Sequence, residues 1–222
     1  MEDKRSITSV TMPRLGDESS LRSMELSVAD AEDEAIFSSC CFKDCRIAGY
    51  TAEGLTFKQA LFRNVSFSDI KFKRVELTDV RFQDCDLSNA DFGEASLHRV
   101  EFDNCKLVGI NLNESFLRDT AFINCNCRYS YFSYTDIKQT AFQKCLLSSS
   151  DFRNSSFSAV SFLETDLTQA QLFYTGLNGI DFSSCDIQGI GVNISDLKGA
   201  VVTPLQALSL SSLLGLKIRE NI

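Results

Sequence analysis

One period constrains the fold of this chain more than any other feature: every fifth residue from Phe37 to Leu197 is apolar. These 33 consecutive positions carry only Phe, Leu, Ile, Val, Ala or Cys, and no insertion or deletion breaks the count. Sixteen of the 18 Phe residues lie in this register. Self-similarity at a fixed period predicts a stacked repeat architecture rather than a globular domain.

A period of five matches neither the 3.6-residue turn of a helix nor the two-residue alternation of a plain strand. The residue two positions before each apolar centre is almost always small or β-branched, and residues two apart share one side of an extended chain. Both therefore face a common interior, and the odd number of residues requires a corner in every repeat. In the repeats Cys85–Asn89 and Ala90–Glu94, the outward positions hold Asp, Ser, Asn, Gly and Glu, which suit exposed tight turns.

A longer period of twenty lies beneath the period of five. One column of centres is entirely Phe, whereas the next column has Phe only at Phe67; the Phe column comprises Phe42, Phe62, Phe82, Phe102, Phe122, Phe142, Phe162 and Phe182. Cysteine shares this period at six positions, namely Cys45, Cys85, Cys105, Cys125, Cys145 and Cys185. Four five-residue sides predict a square coil, and about eight coils stacked at about 4.8 Å predict a rod of roughly 40 Å.

These repeats resemble those of the pentapeptide-repeat proteins, commonly written A-(D/N)-L-x-x. The repeats that match this pattern well are Cys85–Asn89, Ala90–Glu94, Ser150–Asn154, Thr165–Gln169 and Cys185–Gly189. The resemblance extends over about 160 of the 222 residues. It implies an all-β fold, a right-handed quadrilateral parallel β-helix of about eight coils with four repeats in each coil.

The pattern divides the chain into three parts. Residues 1–34 form an acidic extension with nine acidic and four basic residues, and we expect it to be partly disordered or to cap the rod. In the second case Leu21–Ala35 would fold over the first coil, because an uncapped end exposes unpaired strand groups. Residues 35–200 form the β-helix, and residues 201–222 form a C-terminal helix and strand.

The C-terminal part carries helix start and stop signals. Thr203 is suited to the N-cap, Pro204 to the first helical position and Gly215 to the position after the end. The alternating residues Leu216–Ile218 favour a further strand. The leucines of this helix are too many to pack against one coil, so we predict a capping α-helix that also dimerises; a simple cap is the alternative. The residues predicted for dimerisation are Leu205, Leu208, Leu210, Leu213, Leu214, Leu216 and Ile218.

This terminus also resembles the end of the Qnr and MfpA-type branch of the family. The matching residues are Asp196, Leu197, Gly199, Gln206, Ala207, Leu214, Gly215, Leu216 and Ile218. The resemblance implies a homodimer formed through this end. It also implies a mimic of duplex DNA that binds DNA gyrase or topoisomerase IV and protects it from quinolones. The unbroken register departs from Qnr members that carry projecting loops.

Charge gives a separate indication of where a partner would bind. Phe37–Val100 contains nine acidic and nine basic residues, whereas Leu146–Leu197 contains six acidic residues and one basic residue. A DNA mimic needs negative potential, so we predict a partner-binding acidic surface formed by Asp151, Glu164, Asp166, Asp181, Asp186 and Asp196. The alternative is that Asp is favoured at these positions by corner hydrogen bonding. A basic group shows that the rod is not uniformly negative: Lys71, Lys73, Arg74 and Arg81.

Exposed aromatic side chains support a second hypothesis, a non-enzymatic protein-binding scaffold. Five aromatic residues fall at outward positions and form a possible contact patch: Phe116, Tyr129, Tyr131, Tyr134 and Tyr174. Tyrosines are enriched at protein interfaces, although scattered surface aromatics are normal.

The remaining residues give little support for catalysis. Seven of the nine cysteines occupy the inward position two before a centre and Cys127 is itself a centre, so we expect reduced thiols that pack in the core. The single histidine, His98, has no ligand set, and no phosphate-binding loop occurs. We therefore expect no enzymatic activity, cofactor or metal. No apolar segment resembles a signal or a membrane span, so we expect a cytoplasmic protein that does not bind a membrane. We also expect that the protein does not itself bind nucleic acid.

Overall fold

The structure is a computed structural model that describes residues 10–24 and 32–216. In these two ranges it contains twelve β-strands, one α-helix and two 3₁₀ turns. The strands are β1 (Arg22–Ser23), β2 (Ile36–Lys43), β3 (Arg46–Ala48), β4 (Thr51–Glu53), β5 (Thr56–Arg63), β6 (Ser66–Ser68), β7 (Lys71–Lys73), β8 (Glu76–Gln83), β9 (Ser96–Asp103), β10 (Phe116–Ile123), β11 (Asp136–Gln143) and β12 (Ser156–Leu163). The α-helix, α1, is Pro204–Leu210, and the 3₁₀ turns are Glu18–Ser20 and Ser211–Leu214.

The strands stack as the rungs of a parallel β-solenoid. One eight-stranded sheet runs in the order β1-β2-β5-β8-β9-β10-β11-β12, and its pairs are parallel. From β2 onward each paired residue lies opposite the residue twenty positions later, as Phe122 lies opposite Phe142. Two smaller parallel sheets, β3 with β6 and β4 with β7, continue along the rod as single bridges with the same offset, such as that between Asp86 and Lys106. The predicted period of twenty is confirmed.

Each coil has four sides, which we number from the first coil. In that coil, face 1 covers positions 36–38, face 2 covers positions 41–43, face 3 covers positions 46–48 and face 4 covers positions 51–53. Each face recurs along the rod with the period of twenty. Faces 2 and 4 are opposite sides of the square. Each eight-residue strand covers the first two faces and bends at its fourth residue. Seven coils carry this long strand, and the Phe column continues through an eighth to Phe182.

The corners are made by one residue in a left-handed conformation. Every fifth residue from Glu34 to Gly179 has a positive φ, and the non-glycine members lie between 48° and 62°. This is the residue two after each apolar centre. Left-handed φ costs an ordinary L-residue about 1–2 kcal/mol, less for Asn or Asp and little for Gly. The corner requirement therefore explains why Asn, Asp and Gly recur at this position.

Ala159 occupies one such corner at φ 52° and is exposed. Since Ala has neither the freedom of Gly nor the local hydrogen bonding of Asn, we expect Ala159→Gly to raise the free energy of unfolding by about 1 kcal/mol. Ala141 lies in the regular part of β11, so Ala141→Gly is the matched control. This substitution should lower the free energy of unfolding by about 0.5–1 kcal/mol. Urea denaturation measures both. A stability loss in Ala159→Gly equal to that of the control would contradict the corner assignment.

The interior of the rod is a continuous aromatic stack. Successive rings of the Phe column, from Phe42 to Phe182, are stacked with centroids 4.7 to 5.9 Å apart. Phe132 and Phe152 stack at 4.7 Å on another side and meet the column edge to face. The core therefore consists of ladders along the axis, as the column predicts.

The side chain at the inward position two residues before each apolar centre packs in the core and also donates hydrogen bonds. At Cys85, Cys105, Cys125 and Cys145, the Sγ donates to the carbonyl of a Phe in the preceding coil, at 3.3 to 3.4 Å. Hydroxyl groups at the same position also donate to carbonyls of the preceding coil: Ser115, Ser155, Thr165 and Thr175 to a Phe, and Thr135 to Leu112. The position therefore favours a small side chain with a weak or strong donor, which explains the exchange of Cys, Ser and Thr there.

All nine cysteines are free thiols, in agreement with the predicted packing role. Burial raises the pKa of the Cys40 thiol to about 11 and that of Cys127 well above its usual value. These thiols are therefore protonated at neutral pH and unreactive as nucleophiles.

The C-terminal end closes the rod with the predicted helix. Thr203 and Gln206 form a capping box, α1 continues into the 3₁₀ turn Ser211–Leu214, and Gly215 ends it at φ 71°. The Gln206 Nε2 donates to the carbonyls of Phe182 and Cys185 at 2.8 and 2.9 Å, which fixes the cap to the last coil. The predicted strand Leu216–Ile218 falls mostly on Lys217 and Ile218, which lie outside the described residues. In the described part of the chain, no helix has the length and apolar content needed to cross a membrane.

Candidate interaction surfaces

The structure distributes the six predicted acidic residues over all four sides. Asp166 and Asp186 are adjacent rungs of face 3, and Glu164 lies at the corner beside them. The others lie apart, Asp151 on face 4, Asp181 on face 2 and Asp196 on face 1. The acidic set therefore has one cluster on face 3 of the last coils and three separate members.

Most of these carboxylates also accept a backbone hydrogen bond that stabilises the adjacent corner. At Asp86, Asp91, Asp151, Asp166, Asp181 and Asp186, the side chain accepts the backbone N–H two residues later at 2.8 to 3.1 Å. Asp196 accepts from the Tyr174 N–H at 2.9 Å. Asp151 also pairs with the Arg153 guanidinium at 2.6 Å, so its charge is offset locally. The alternative explanation, corner hydrogen bonding, thus accounts for why Asp occurs at these positions.

The aromatic patch lies on and around face 4. Tyr131 is on face 4, Tyr129 and Tyr134 are at its two corners, and Phe116 begins the same coil on face 1. Tyr174 occupies the Tyr134 corner two coils further on. These side chains are 47 to 71% exposed, so the structure leaves them available to a partner.

The C-terminal cap exposes most of its leucines. Leu210 packs against the core, whereas Leu205 is 78%, Leu214 58%, Leu216 57%, Leu208 51% and Leu213 38% exposed. Val201 and Ile194 on the last coil are also about half exposed. Contiguous apolar surface of this kind marks interaction sites in soluble proteins.

A fourth surface involves the N-terminal residues, for which the sequence predicted at most a cap on the first coil by Leu21–Ala35. Residues 10–24, here called the strap, run along face 2 from the fifth coil to the first. The Thr11 N–H donates to Asp119 at 3.0 Å, the Arg14 N–H to Asp79 at 2.8 Å, and Glu18 receives two bonds from Arg63 at 2.7 and 2.8 Å. Glu18 also pairs with Lys43. Finally β1 pairs with β2 at Cys40 and Cys41, which covers part of the open edge of the first coil.

The strap explains an irregularity on face 2. In the strapped coils the outward residues Cys41, Leu61, Glu101 and Ala121 are buried and Arg81 is half-buried, whereas Asp181 beyond the strap is exposed. Three of the five strapped positions of this column are apolar, namely Cys41, Leu61 and Ala121, and the other two are Arg81 and Glu101. These three apolar outward residues were the available sequence signal for a covering segment.

Charged groups surround the strap. The Arg99 guanidinium donates to Asp79 at 2.6 Å and holds the pKa of that carboxyl below its usual value, with help from the Arg14 N–H. Lys43 and Arg63 lower the pKa of Glu18. Burial and the neighbouring Arg99 lower the pKa of His98, which favours its neutral form. Because their pKa values are lowered, Asp79 and Glu18 stay charged as the pH falls into the acidic range. Their contacts with the strap and the rod therefore persist at acidic pH.

Comparisons with known proteins define the class of the chain. The family model for the pentapeptide repeat region matches residues 95–172, and the model for pentapeptide repeats in eight copies matches residues 76–113. The chain is a pentapeptide-repeat protein. No curated protein sequence matches it.

Two solved structures show what the chain is similar to. Full-length QnrB1, described as a plasmid-mediated fluoroquinolone resistance protein, is 20% identical, with 88% of this chain and 95% of that chain covered and a TM-score of 0.40. HetL, a pentapeptide-repeat protein involved in heterocyst differentiation regulation from the cyanobacterium Nostoc, is 15% identical, with 77% and 90% covered and a TM-score of 0.31.

Proposed function

We propose that this protein is a non-catalytic, dimeric DNA mimic that acts in the cytoplasm. Its partner is a bacterial type II topoisomerase, DNA gyrase or topoisomerase IV, which it modulates or protects from quinolones. One observation carries the proposal: an exposed leucine cap adjoins the coils in which almost every charge is negative.

The cap supports dimerisation. The helix is fixed to its own coil through Gln206 and Leu210, and this leaves most of Leu205 and about half of Leu208 exposed. A second copy would cover these side chains, because a twofold axis brings the same apolar patch of each copy together. The two rods would then join end to end through their caps.

The charges support mimicry of DNA. Residues 156–196 contain five acidic residues and no Lys or Arg, and Glu164, Asp166 and Asp186 are neighbours on one side. Doubling by symmetry extends this negative tract across the centre of the dimer. Duplex DNA presents regularly spaced phosphates to a basic saddle, and a rod of similar charge can occupy it.

A supercoiling assay tests the proposed function. We expect the protein at micromolar concentration to inhibit supercoiling by purified gyrase or to restore it in the presence of ciprofloxacin. The double variant Asp166→Asn, Asp186→Asn should lose most of this effect, because Asn retains the corner acceptor but removes the charge. No effect of the parent protein on gyrase or topoisomerase IV, with or without the drug, would refute the proposal.

The aromatic patch favours a second candidate function, a protein-binding scaffold. Phe116, Tyr129, Tyr131 and Tyr134 belong to one coil and are each about half exposed or more. Rigid tyrosines supply contact area at low entropic cost. If the triple variant Tyr129→Ser, Tyr131→Ser, Tyr134→Ser retained full activity in the gyrase assay, the patch would have no part in that function.

A further inference from the structure

The strap is bound to the rod largely through its main chain. Two of its backbone N–H groups, three residues apart, donate to carboxylates on coils two rungs apart, at Asp119 and Asp79. Both carboxylates are nearly buried, with whole-residue exposures of 5% and 7%. Main-chain donors are present in any extended segment, so this part of the binding depends little on strap sequence.

One side chain adds selectivity. The two Nη atoms of Arg63 donate to the two oxygens of the Glu18 carboxylate, one to each, and Lys43 also pairs with Oε1. The planar guanidinium recognises a carboxylate in this two-bonded geometry. Face 2 thus binds main-chain N–H groups at two points and, four residues after the second, an acidic side chain at the start of the 3₁₀ turn Glu18–Ser20.

The strap does not fill the site that it occupies. None of the residues 10–24 is buried. A gap of about 310 Å³ remains between strap and rod, lined among others by Pro13, Leu15, Leu21 and Leu61. Arg81 also lines the gap, and its Nε is buried without an acceptor among the described residues. An unused donor and an incompletely filled gap leave room for a better-fitting occupant.

We propose that face 2 is a peptide-binding groove and that the strap is its resident, displaceable occupant. The external ligand is an extended segment of a partner protein. It offers two main-chain N–H groups three residues apart, a carboxylate four residues after the second, and an acceptor for Arg81. The groove is opposite the aromatic patch and does not depend on topoisomerase binding.

A cut chain tests this in the folded protein. A site-specific protease sequence is inserted within residues 25–31 of the full chain, and the folded protein is cut there. A fluorescent synthetic peptide of residues 10–24 is then added, and binding is followed by anisotropy while circular dichroism monitors the strands. We expect the cut segment to leave on dilution, the strand signal to persist, and the peptide to bind saturably.

Modified peptides identify the chemistry. N-methylation of Arg14 removes the donor to Asp79 and should weaken binding about tenfold, whereas N-methylation of Met12, which has no backbone partner among the described residues, should change it less than about twofold. Glu18→Ala should weaken binding about fivefold. A segment that stays bound on dilution, a rod that loses its strands when cut, or equal binding of the two N-methylated peptides would overturn the proposal.

Discussion

Replacing Phe122 with Ala is expected to lower the free energy of unfolding by about 3–5 kcal/mol, the largest stability change expected of any single substitution considered for this chain. Phe122 is fully buried and stacks on Phe102 at 4.9 Å and on Phe142 at 4.7 Å. Its loss removes these two stacked contacts and an edge-to-face contact with Phe132. It also leaves a cavity in the middle of the stack, where neighbouring coils cannot close because strand pairing fixes their spacing.

The same strand provides the control. Phe116 lies six residues earlier in β10 and is 61% exposed, so Phe116→Ala should change stability by less than about 0.5 kcal/mol. Urea denaturation followed by circular dichroism compares the two variants directly. If both variants lost the same free energy of unfolding, the stacked Phe column would not be what stabilises the packing of successive coils.

Replacing Leu208 with Asp is expected to convert the proposed dimer to a monomer. Leu208 is 51% exposed on α1, and Gln206 and Leu210 attach the other side of this helix to the rod. A twofold interface contains residue 208 of both copies, so the substitution would bury two unpaired carboxylates in the dimer. Both would destabilise the dimer. The folded monomer, in contrast, should tolerate the change because the side chain faces water.

Light scattering after gel filtration measures the outcome. The parent should have twice the mass of one chain and Leu208→Asp the mass of one, while Leu208→Met keeps an apolar side chain and should remain dimeric. A parent with the mass of a single chain, or a Leu208→Asp variant of unchanged mass, would contradict an interface formed through this helix.

The fold was predictable because the repeat leaves few alternatives. A period of five with two inward residues predicts that each repeat forms one side of a coil and one corner. The Phe column recurs every twenty residues, which predicts four sides in each coil. The dihedral angle of the corner was not predicted, since Arg99, Tyr134 or Ala159 at positive φ looks unremarkable in a sequence. Only the closed geometry, repeated at every corner, imposes that conformation.

The strap could not be predicted in the same way. Residues 10–24 have no period, and their contacts use backbone N–H groups that every residue except proline possesses. Apolar Leu61 and Ala121 at outward positions indicated a cover but not its identity. For the acidic residues, the period of twenty does separate the Asp166 and Asp186 column from Asp151, Asp181 and Asp196, so the placement on different faces could have been read from residue numbers.

Displacement of DNA from gyrase tests the proposed function most directly. A fluorescent duplex bound to purified gyrase is titrated with the protein, and release is followed by anisotropy. We expect full displacement by the parent protein. The concentration required should rise severalfold for Asp166→Asn, Asp186→Asn and should also rise for the monomeric Leu208→Asp, because both changes shorten the continuous negative tract. A protein that binds gyrase while the duplex stays bound, or that binds neither gyrase nor topoisomerase IV, would contradict it.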